Sequence, residues 1–416
     1  MTKNNQYLKK VSKIQMEISS LCNALCLGCV RTDTRNFSRP TPNLPKKAIM
    51  SLDTFEKIIS DPYFKNTPEN TIQFCGTVDD PLMHPQWLEI LELCVKHKVS
   101  RVDIHTNAGV RSPDEWREMR KLLKQLKNLH DPGYESLIRF NIDGLKDTNH
   151  LYRQRVKWEK VMENATAFLE DDGGKYARWQ MIEFPWNSHQ IEEAKQLAHD
   201  MGFEVFTVRH NRSNIIRDGT TLEEITKLQK KFNEKRSDDL DIQNTENTKV
   251  PDRIYDQLLN PDEEIDCSFQ KEQMIFIDYN SRVWPCCFLR NLDFNHYAKH
   301  TEIMANQVDA MMFKKYNDSN DSKQSWNYAD KHTLTEIMTH PFFANGLVQS
   351  FSDPMPTKQD LETGNTCDQK LIKCSKTCGK QSRKEVPLQE AHKKTKLWKY
   401  HAGKSREDIF LNSDRN

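Results

Sequence analysis

The sequence lacks the features that would place a protein in a membrane, in the secretory route or on nucleic acid. No apolar run reaches the roughly 18 to 20 residues that cross a bilayer, and the N-terminal stretch MTKNNQYLKKVSKIQ contains no apolar segment typical of a secretory signal. Neither sign of charge is in excess, with 61 Lys and Arg residues and 60 Asp and Glu residues in a chain of 416. We therefore expect a cytoplasmic, globular protein of two or three domains.

Cysteine is absent from the middle of the chain, residues 95–266, and is frequent on both sides of it. The N-terminal side contains three cysteines within eight residues and two isolated ones, Cys75 and Cys94, which we expect to be core residues. The C-terminal side contains six cysteines between Cys267 and Cys378. Because structural disulfides are rare in the cytoplasm, groups of cysteines there more often bind metal. The distribution predicts two thiol-bearing regions separated by a scaffold.

The first half of the chain alternates short β-type runs with amphipathic helical patterns. The helix that begins after Ser112 carries a capping box and a proline at its first position. Alternation of strand and helix predicts an α/β fold with a parallel sheet, and six units predict a partial (β/α)6 barrel of the TIM type, with ligands at the carboxyl ends of the strands. The predicted strands are residues 14–18, 71–74, 101–105, 137–142, 179–184 and 204–208.

Changes in composition divide the rest of the chain. We assign residues 1–215 to the α/β core and residues 216–262, which contain the polar run KRSDDLDIQNTENTK, to a helical linker expected to be mobile. Residues 263–380 contain the second cysteine region and form a small C-terminal domain in this division. Residues 381–416 are a basic tail with a helical pattern, expected to be a solvated helix.

The stretch CNALCLGC, residues 22–29, places three thiols in one loop after the first predicted strand. Three thiolates hold three irons of a 4Fe–4S cluster and leave the fourth iron open, and an open metal position is typical of catalytic sites. The CxxxCxxC spacing of Cys22, Cys26 and Cys29 resembles the signature of the radical S-adenosylmethionine (SAM) superfamily. One departure is Gly28, which replaces the aromatic residue usual in that family. The alternative is a zinc site with a fourth ligand elsewhere.

The resemblance implies a reaction and a cofactor. In that family SAM chelates the open iron, and one-electron reduction cleaves SAM to methionine and a 5′-deoxyadenosyl radical that abstracts hydrogen from the substrate. FCGTVDDPLMHP, residues 74–85, resembles the family's second motif, which implies that Asp80 meets the SAM amino group and that Gly76 allows close approach of the backbone. The alternative for this stretch is an ordinary strand-to-helix turn.

Two further segments resemble the SAM pocket of the same family. HTNAG, residues 105–109, places Asn107 at a strand end, where the family lines this pocket. RFNIDGLKDTNHLYR, residues 139–153, implies that Asn141 and Arg153 hold the ribose or the carboxylate of SAM. A guanidinium fork suits a carboxylate. The alternative for Arg153 is a surface ion pair with Asp147.

The second cysteine region predicts a β-hairpin in CSFQKEQMIFIDYNSRVWPCCF, residues 267–288, followed by CDQKLIKCSKTCGK. It resembles the SPASM or twitch extension of radical SAM enzymes, which implies an auxiliary 4Fe–4S cluster. Asn280 stands where a turn glycine is usual, and Asn tolerates the left-handed conformation. Cys287 and Cys367 are left over, and either could replace a proposed ligand; the alternative is a zinc ribbon-like site. The implied ligands are Cys267, Cys286, Cys374 and Cys378.

These resemblances imply a radical SAM oxidoreductase-type enzyme that oxidises or cross-links a small metabolite, a sugar or a peptide. Its electron donor would be a flavodoxin or a ferredoxin, and the auxiliary cluster could accept the electron left on the substrate. Cys22 comes too early for an N-terminal leader-binding domain, which favours a small molecule or a peptide delivered by another protein. Two alternatives stay open: a zinc-stabilised binding protein without catalysis, and a nucleic-acid-modifying radical SAM enzyme that uses the basic tail.

Overall fold

The computed structural model describes residues 7–33, 36–40, 47–126, 135–211, 223, 264–290, 316, 326–363, 369–379 and 396–399. Cys367 and most of the predicted linker and basic tail lie outside these residues. No helix within the described ranges is both long and apolar enough to span a bilayer.

The described strands form one large sheet and a separate two-stranded ribbon. In the sheet the order is β10-β9-β1-β4-β5-β6-β7-β8-β11, and β2 pairs with β3 in the ribbon. Strands β9 to β8 of this order are parallel, and β10 and β11 are antiparallel at the two edges. The strands are β1 Lys13–Met16, β2 Thr32–Asp33, β3 Asn36–Pro40, β4 Thr71–Phe74, β5 Arg101–Thr106, β6 Leu137–Asn141, β7 Ala177–Glu183, β8 Val205–His210, β9 Met274–Ile277, β10 Val283–Trp284 and β11 Lys396–Lys399.

The six predicted parallel strands are all present, and the α/β class is confirmed. Because the strand order has two ends among the described residues, the sheet is an open, partial barrel. Helices connect the parallel strands, as the alternating pattern predicts. The described helices, of which α9 to α13 follow the last parallel strand, are α1 Leu52–Ser60, α2 Pro62–Lys65, α3 Trp87–Lys96, α4 Pro113–Gln125, α5 Asn149–Tyr152, α6 Trp158–Leu169, α7 Ile191–Met201, α8 Ser268–Lys271, α9 Cys287–Arg290, α10 Leu334–Thr339, α11 Leu347–Ser350, α12 Lys358–Thr363 and α13 Ile372–Cys378.

The predicted capping box at the start of α4 is confirmed. The Ser112 hydroxyl accepts a hydrogen bond from the Glu115 backbone N–H at 3.3 Å, and the Glu115 carboxylate accepts from the Ser112 N–H at 2.8 Å. Gly202 ends α7 in the left-handed conformation, with φ of 97°. Four single turns complete the elements: Pro81–Met83, Gly173–Tyr176 and Ser188–Gln190 as 3₁₀ turns and Phe342–Gly346 as a π turn.

The two faces of the sheet differ in chemistry. Alternate residues of a strand point to opposite faces, and one face carries large apolar side chains that pack under the helices. Trp116 of α4 stacks on Phe140 of β6, with ring centroids 5.1 Å apart. On the other face, polar residues stand side by side in register across five strands: Gln73 beside Asp103, His105 beside Arg139, Arg139 beside Arg178, and Gln180 beside Thr207.

The predicted C-terminal hairpin is confirmed as β9 and β10, and it extends the core sheet. Strand β9 pairs in parallel with β1, with Ile275 beside Ile14. The turn differs from the prediction because Ser281, with φ of 64°, takes the left-handed conformation expected of Asn280. The Asp278 carboxylate holds this turn by accepting from the Asn280 N–H at 2.9 Å. The predicted division at residue 263 therefore does not separate two sheets.

The basic tail differs from its prediction in the part that the structure describes. Residues Lys396–Lys399 form β11, which pairs with β8 in antiparallel register, with Leu397 beside Thr207. A helix was expected from the spacing of lysines. Whether a segment forms an edge strand depends on the strand with which it pairs more than on its own residue pattern. The periodicity of the tail alone therefore could not indicate this pairing.

Candidate functional site

The three-cysteine loop leaves the carboxyl end of β1 and folds as two successive turns. The Cys29 N–H donates to the Cys26 carbonyl at 3.2 Å, and the Thr32 N–H donates to the Cys29 carbonyl at 2.9 Å. Gly28 has φ of 75°, a left-handed conformation that side chains disfavour. The turn before Cys29 therefore explains why a glycine occupies position 28.

Burial keeps the three thiols protonated in the absence of a cation. It raises the pKa of Cys22 and Cys29, and it raises that of Cys26 to about 11 although the Arg153 guanidinium opposes the shift. A bound metal deprotonates a coordinating thiol, so loading this loop would release protons. Within the part of the chain that the structure describes, no three Cys, His, Asp or Glu side chains form a group spaced to hold a metal ion.

Arg153 joins the cysteine loop to a buried carboxylate. Its Nη1 lies 3.5 Å from the Cys26 sulfur, and its Nε donates to Asp143 at 2.6 Å. The Asp143 side chain is fully buried. The alternative expected from sequence was an ion pair with Asp147, and the structure contradicts it, because Asp147 accepts from the side chain of Gln190 at 2.8 Å instead. Arg153 thus reaches the loop, and its role toward SAM stays a prediction.

Asp80 ties the loop after β4 to the end of β5. Its carboxylate accepts from the Thr106 hydroxyl at 2.9 Å, from the Asn107 N–H at 2.8 Å and from the Leu82 N–H at 3.2 Å. Only 4% of the residue is exposed, and burial raises the pKa of its carboxyl despite these donors. The carboxylate thus makes a strand-to-helix turn, the alternative stated above. Contact with a SAM amino group stays a prediction.

Gly76 is surrounded by protein. A β-carbon at this position would overlap the side chains of Asp79 and Glu17, so only glycine fits. Glu17 is fully buried and accepts from the Val78 N–H at 2.9 Å and from Arg290 Nε at 3.1 Å. This network fixes the loop after β4 against the end of β1. The structure gives Gly76 a packing role, and approach of a cofactor stays a prediction.

Asn107 contacts the cysteine loop from the end of β5. Its side-chain NH₂ donates to the side-chain oxygen of Asn23 at 2.7 Å and lies 3.9 Å from the Cys22 sulfur. Its own side-chain oxygen accepts from the Gly109 N–H at 2.9 Å. The structure therefore brings Asn107 and Arg153 to two different cysteines of the same loop. Asn107 thus lies against the cysteine loop, and its place in a SAM pocket stays a prediction.

A cavity of about 250 Å³ lies beside Gly28. Gln180 lines it, is 7% exposed, and donates to the Asn141 side-chain oxygen at 2.9 Å. The Gln180 oxygen is buried and finds no hydrogen-bond partner among the described residues. A buried polar atom without a partner is costly, so this oxygen suits a ligand donor. The lining residues are Leu27, Gly28, Tyr152, Gln180, Ile182, Arg209, His210 and Asn211.

The four thiols predicted at the C-terminal site converge from three segments. Cys267 precedes α8, Cys286 precedes α9, and Cys374 and Cys378 lie one turn apart on the same side of α13. Burial, then the neighbouring thiols of Cys287, Cys267 and Cys378, raise the pKa of Cys286. The structure thus places Cys286 among the proposed ligands, and metal binding there stays a prediction.

Tyr7 belongs to this second thiol group, and the sequence gave no sign of it. Its hydroxyl lies 3.4 Å from the Cys267 sulfur, and only 2% of the residue is exposed. Burial raises its pKa, and the thiols of Cys267, Cys286 and Cys374 raise it further. The contact joins residues 260 positions apart, so local spacing could not predict it.

Cys75 and Cys94 have different surroundings, although both were expected in the core. Cys94 is fully buried on α3, as expected. Cys75 is only partly buried. Burial, followed by the nearby Cys75 thiol, raises the pKa of Cys287 to about 12. The prediction for Cys75 as a core residue is therefore only partly met.

An ion-pair cluster on the polar face of the sheet was missed by the sequence analysis. Asp103 accepts from Arg139 Nε at 2.9 Å and Nη2 at 2.8 Å. Arg101 Nη2 lies 3.7 Å and His105 Nε2 lies 3.6 Å from the same carboxylate. Burial raises the pKa of Asp103, but Arg139 and the neighbouring charges bring it below its ordinary range. The signal was the alternation of charged and apolar residues in RVDIHT, residues 101–106.

The fold and the site define a class: an α/β protein with an open, mostly parallel sheet and a three-thiol loop at the carboxyl end of its first strand. Solved structures that resemble the chain include Streptococcus suis SuiB bound to S-adenosylmethionine, with a TM-score of 0.47 and 15% identity over 88% of this chain and 72% of that one. BtrN in complex with AdoMet and 2-DOIA has a TM-score of 0.40 and 12% identity, over 88% of this chain and 92% of that one. Native anSMEcpe with bound AdoMet has a TM-score of 0.44 and 14% identity, over 90% of this chain and 96% of that one.

No protein-family model and no curated protein sequence matches the chain. The structural similarities describe a likeness at low identity and at TM-scores below 0.5. The function is therefore argued from the residues of the site.

Proposed function

We propose that the chain is a radical SAM enzyme whose cluster is held by Cys22, Cys26 and Cys29. The observation that carries the proposal is this loop at the carboxyl end of β1, with the Arg153 guanidinium 3.5 Å from the Cys26 sulfur. The donor set suits the group, because the three thiols would each bind a different iron of a 4Fe–4S cluster, leave the fourth iron open, and need not be spaced around one ion. The loop lies where ligands bind in open parallel sheets.

The residues around the loop have separable tasks in this proposal. When bound, the cluster supplies the electron that breaks a carbon–sulfur bond of SAM. Arg153 and Asn107 donate toward the sulfurs of Cys26 and Cys22, and such hydrogen bonds tune a cluster's potential. The cavity beside Gly28 receives part of the SAM molecule, with the Gln180 oxygen as acceptor. The surrounding sheet excludes water from the reactive species.

The decisive test is reconstitution of the full chain with iron and sulfide, followed by SAM and dithionite. We expect 5′-deoxyadenosine from the wild-type protein and only background product from Cys26→Ala, because one iron then loses its ligand. The matched control is Cys94→Ala, which removes a thiol buried on α3 and should retain cleavage and iron. Cleavage that survives in Cys26→Ala, or a colourless protein with stoichiometric zinc, contradicts the proposal.

We further propose that Cys267, Cys286, Cys374 and Cys378 hold an auxiliary 4Fe–4S cluster. The convergence of these segments around Tyr7 supports it. The Cys374→Ala variant should contain about half the iron of the wild-type protein, since one of two clusters is lost, while SAM cleavage persists. Iron quantification together with 5′-deoxyadenosine formation checks this. An iron content equal to that of the wild-type protein would contradict the proposed auxiliary cluster.

The proposed reaction is an oxidation or a cross-linking of a small metabolite, a sugar or a peptide. A flavodoxin or a ferredoxin would deliver the electron, and the proposed compartment is the cytoplasm, where thiols stay reduced. Reduction of the reconstituted protein by a flavodoxin in place of dithionite tests the donor. Nucleic acid is not the favoured substrate, because the chain has no excess of basic residues.

A further inference from the structure

Tyr7 lies at the C-terminal thiol group although it precedes the first strand of the sheet. Its hydroxyl lies 3.4 Å from the Cys267 sulfur and 3.4 Å from the Pro285 carbonyl oxygen. Cys267 precedes the β9–β10 hairpin, and Pro285 follows it, directly before Cys286. One hydroxyl from the N-terminal segment therefore contacts both segments that flank the hairpin, and each of these segments carries a proposed cluster ligand.

Contacts of the backbone and of the ring fix the position of Tyr7. Its backbone N–H donates to the Phe343 carbonyl at 2.9 Å, and its own carbonyl accepts from the side chain of Gln270 at 3.2 Å. The ring packs beside Phe343 and Phe351, with centroid distances of 6.0 and 6.5 Å. Only 2% of the residue is exposed. The hydroxyl is therefore held beside the Cys267 sulfur and away from bulk water.

The two contacts of the hydroxyl differ in quality. A hydroxyl that donates to an oxygen usually lies about 2.5 to 3.0 Å from it, so the distance to the Pro285 carbonyl is long. Sulfur is a larger atom than oxygen, and the same distance is ordinary for a hydrogen bond to it. A metal-bound cysteine is a thiolate and has no proton to donate. With Cys267 bound to metal, the hydroxyl is therefore the donor and the sulfur is the acceptor.

We propose that the Tyr7 hydroxyl donates a hydrogen bond to the Cys267 sulfur and thereby raises the reduction potential of the auxiliary 4Fe–4S cluster. This inference rests on the proposed function, which assigns that cluster to Cys267, Cys286, Cys374 and Cys378. The donor set suits a cluster, because its thiolates bind different irons and need not be spaced around one ion.

The direction of the effect follows from charge. Hydrogen bonds to the sulfurs are among the factors that set the potential of an iron–sulfur cluster. Reduction adds one negative charge, and a hydrogen-bond donor directed at a ligand sulfur stabilises the more negative state. Tyr7 acts on the cluster through Cys267, so it is a positioning residue, and its loss should lower the potential.

A redox titration of the Tyr7→Phe variant tests this inference, because phenylalanine keeps the ring and removes the hydroxyl. Every protein in the series carries alanine substitutions at all three cysteines of the N-terminal loop, so that only the auxiliary cluster is observed after reconstitution with iron and sulfide. The signal is the electron paramagnetic resonance of the reduced cluster, equilibrated with mediator dyes. We expect the ratio of reduced to oxidised cluster to fall about threefold to tenfold, a potential lower by about 30 to 60 mV for one electron.

The matched control is Tyr63→Phe. The Tyr63 hydroxyl donates to the carbonyl of Leu8, the neighbour of Tyr7, at 3.0 Å. Its removal therefore loosens the same N-terminal segment without removing the hydroxyl beside Cys267. We expect the control to have the potential of the parent protein. Urea denaturation of both variants checks that each is folded.

The outcomes separate this inference from the proposed function. A potential that is unchanged in Tyr7→Phe, or lowered equally in Tyr63→Phe, overturns the role of Tyr7 and leaves the auxiliary cluster standing. Loss of the cluster from folded Tyr7→Phe alone also overturns it, because the hydroxyl would then be needed for assembly. A parent protein that takes up no cluster rejects the auxiliary cluster together with the role of Tyr7, while SAM cleavage by the wild-type protein still supports the radical SAM assignment.

Discussion

At the scale of single residues, Arg153 has the best-defined position in the site. It lies between a sulfur and a carboxylate, and Asp143 is fully buried beneath it. Burial lowers the pKa of Arg153, but the neighbouring Asp143 carboxylate and the Cys26 sulfur raise it well above its ordinary value. The cation therefore persists at every physiological pH. It can balance the negative charge that three thiolates bring to the loop.

His105 makes the stability of the fold depend on pH. Burial lowers the pKa of His105 from its ordinary value of 6.5 to about 3, although Asp103 opposes the shift, and nearby arginine charges lower it further. Between these two values the unfolded chain therefore binds a proton that the folded chain does not. Stability is thus fully present above the unfolded value and is lost as pH falls below it. From pH 7 to pH 5 we expect a loss of about 2 kcal/mol through this group. Urea denaturation at both values measures it.

The matched variant for this prediction is His105→Gln, which preserves hydrogen bonding without titrating. It should lose about 2 kcal/mol less than the wild type between the two pH values, because other groups titrate equally in both proteins. Equal losses would mean that folding does not lower the pKa of His105.

Sequence spacing predicted which residues approach the cysteine loop better than it predicted what they bind. The resemblance implied that Arg153 binds SAM, with an ion pair to Asp147 as the alternative, and the acid that it contacts is Asp143. The turn at Gly144, with φ of 135°, brings the more distant acid under the guanidinium. Tyr7 gave no signal, because its partner Cys267 is 260 residues away and only the folded sheet joins them. Contacts between residues far apart in the chain follow from the fold and cannot be predicted from composition or local spacing.

At the scale of elements, the two turns of the cysteine loop depend on Gly28. An alanine there must take φ near 75°, which costs about 1 kcal/mol, or the turn must shift and move Cys29. We expect Gly28→Ala to lower the free energy of unfolding by about 1 kcal/mol and to reduce iron retained after reconstitution. Urea denaturation and iron quantification measure the two effects. Gly202→Ala is a control at a positive φ far from the loop, with 97°.

That control separates strain from site damage. Gly202→Ala should cost a similar amount of stability while iron content stays at the wild-type level, since the residue ends α7. Unchanged iron in Gly28→Ala would show that the loop accepts a side chain without moving Cys29.

The local pattern of apolar residues correctly predicted strands and helices wherever one face of the element packs in the core. Apolar alternation found β1 and β4 to β8, since each has one face under the helices. The edge strand β11 and the pairing of β9 with β1 could not be found, because edge pairing joins segments far apart in the chain. The left-handed residue of the hairpin turn was misplaced by one position, because the Asp278 carboxylate, and not residue type, fixes that turn.

At the scale of the whole molecule, the short helix α9 connects the two thiol regions. Cys286, among the C-terminal thiols, directly precedes this helix, and Arg290 at its end donates to Glu17 at the end of β1. Glu17 in turn holds the backbone of Thr77 and Val78. Four residues of helix span about 6 Å. The two candidate metal regions are therefore joined by a continuous series of contacts through Arg290 and Glu17.

The pairing of β1 with β9 has a consequence for biosynthesis. Lys13 lies beside Met274, so the first strand obtains its outer neighbour only after more than half of the polypeptide has left the ribosome. Until then the loop with the N-terminal cysteines follows a strand, β1, that has not yet paired with β9. Iron inserted during translation would therefore encounter the cysteine loop beside an incomplete sheet. Iron inserted after release from the ribosome would encounter the same loop beside the complete sheet.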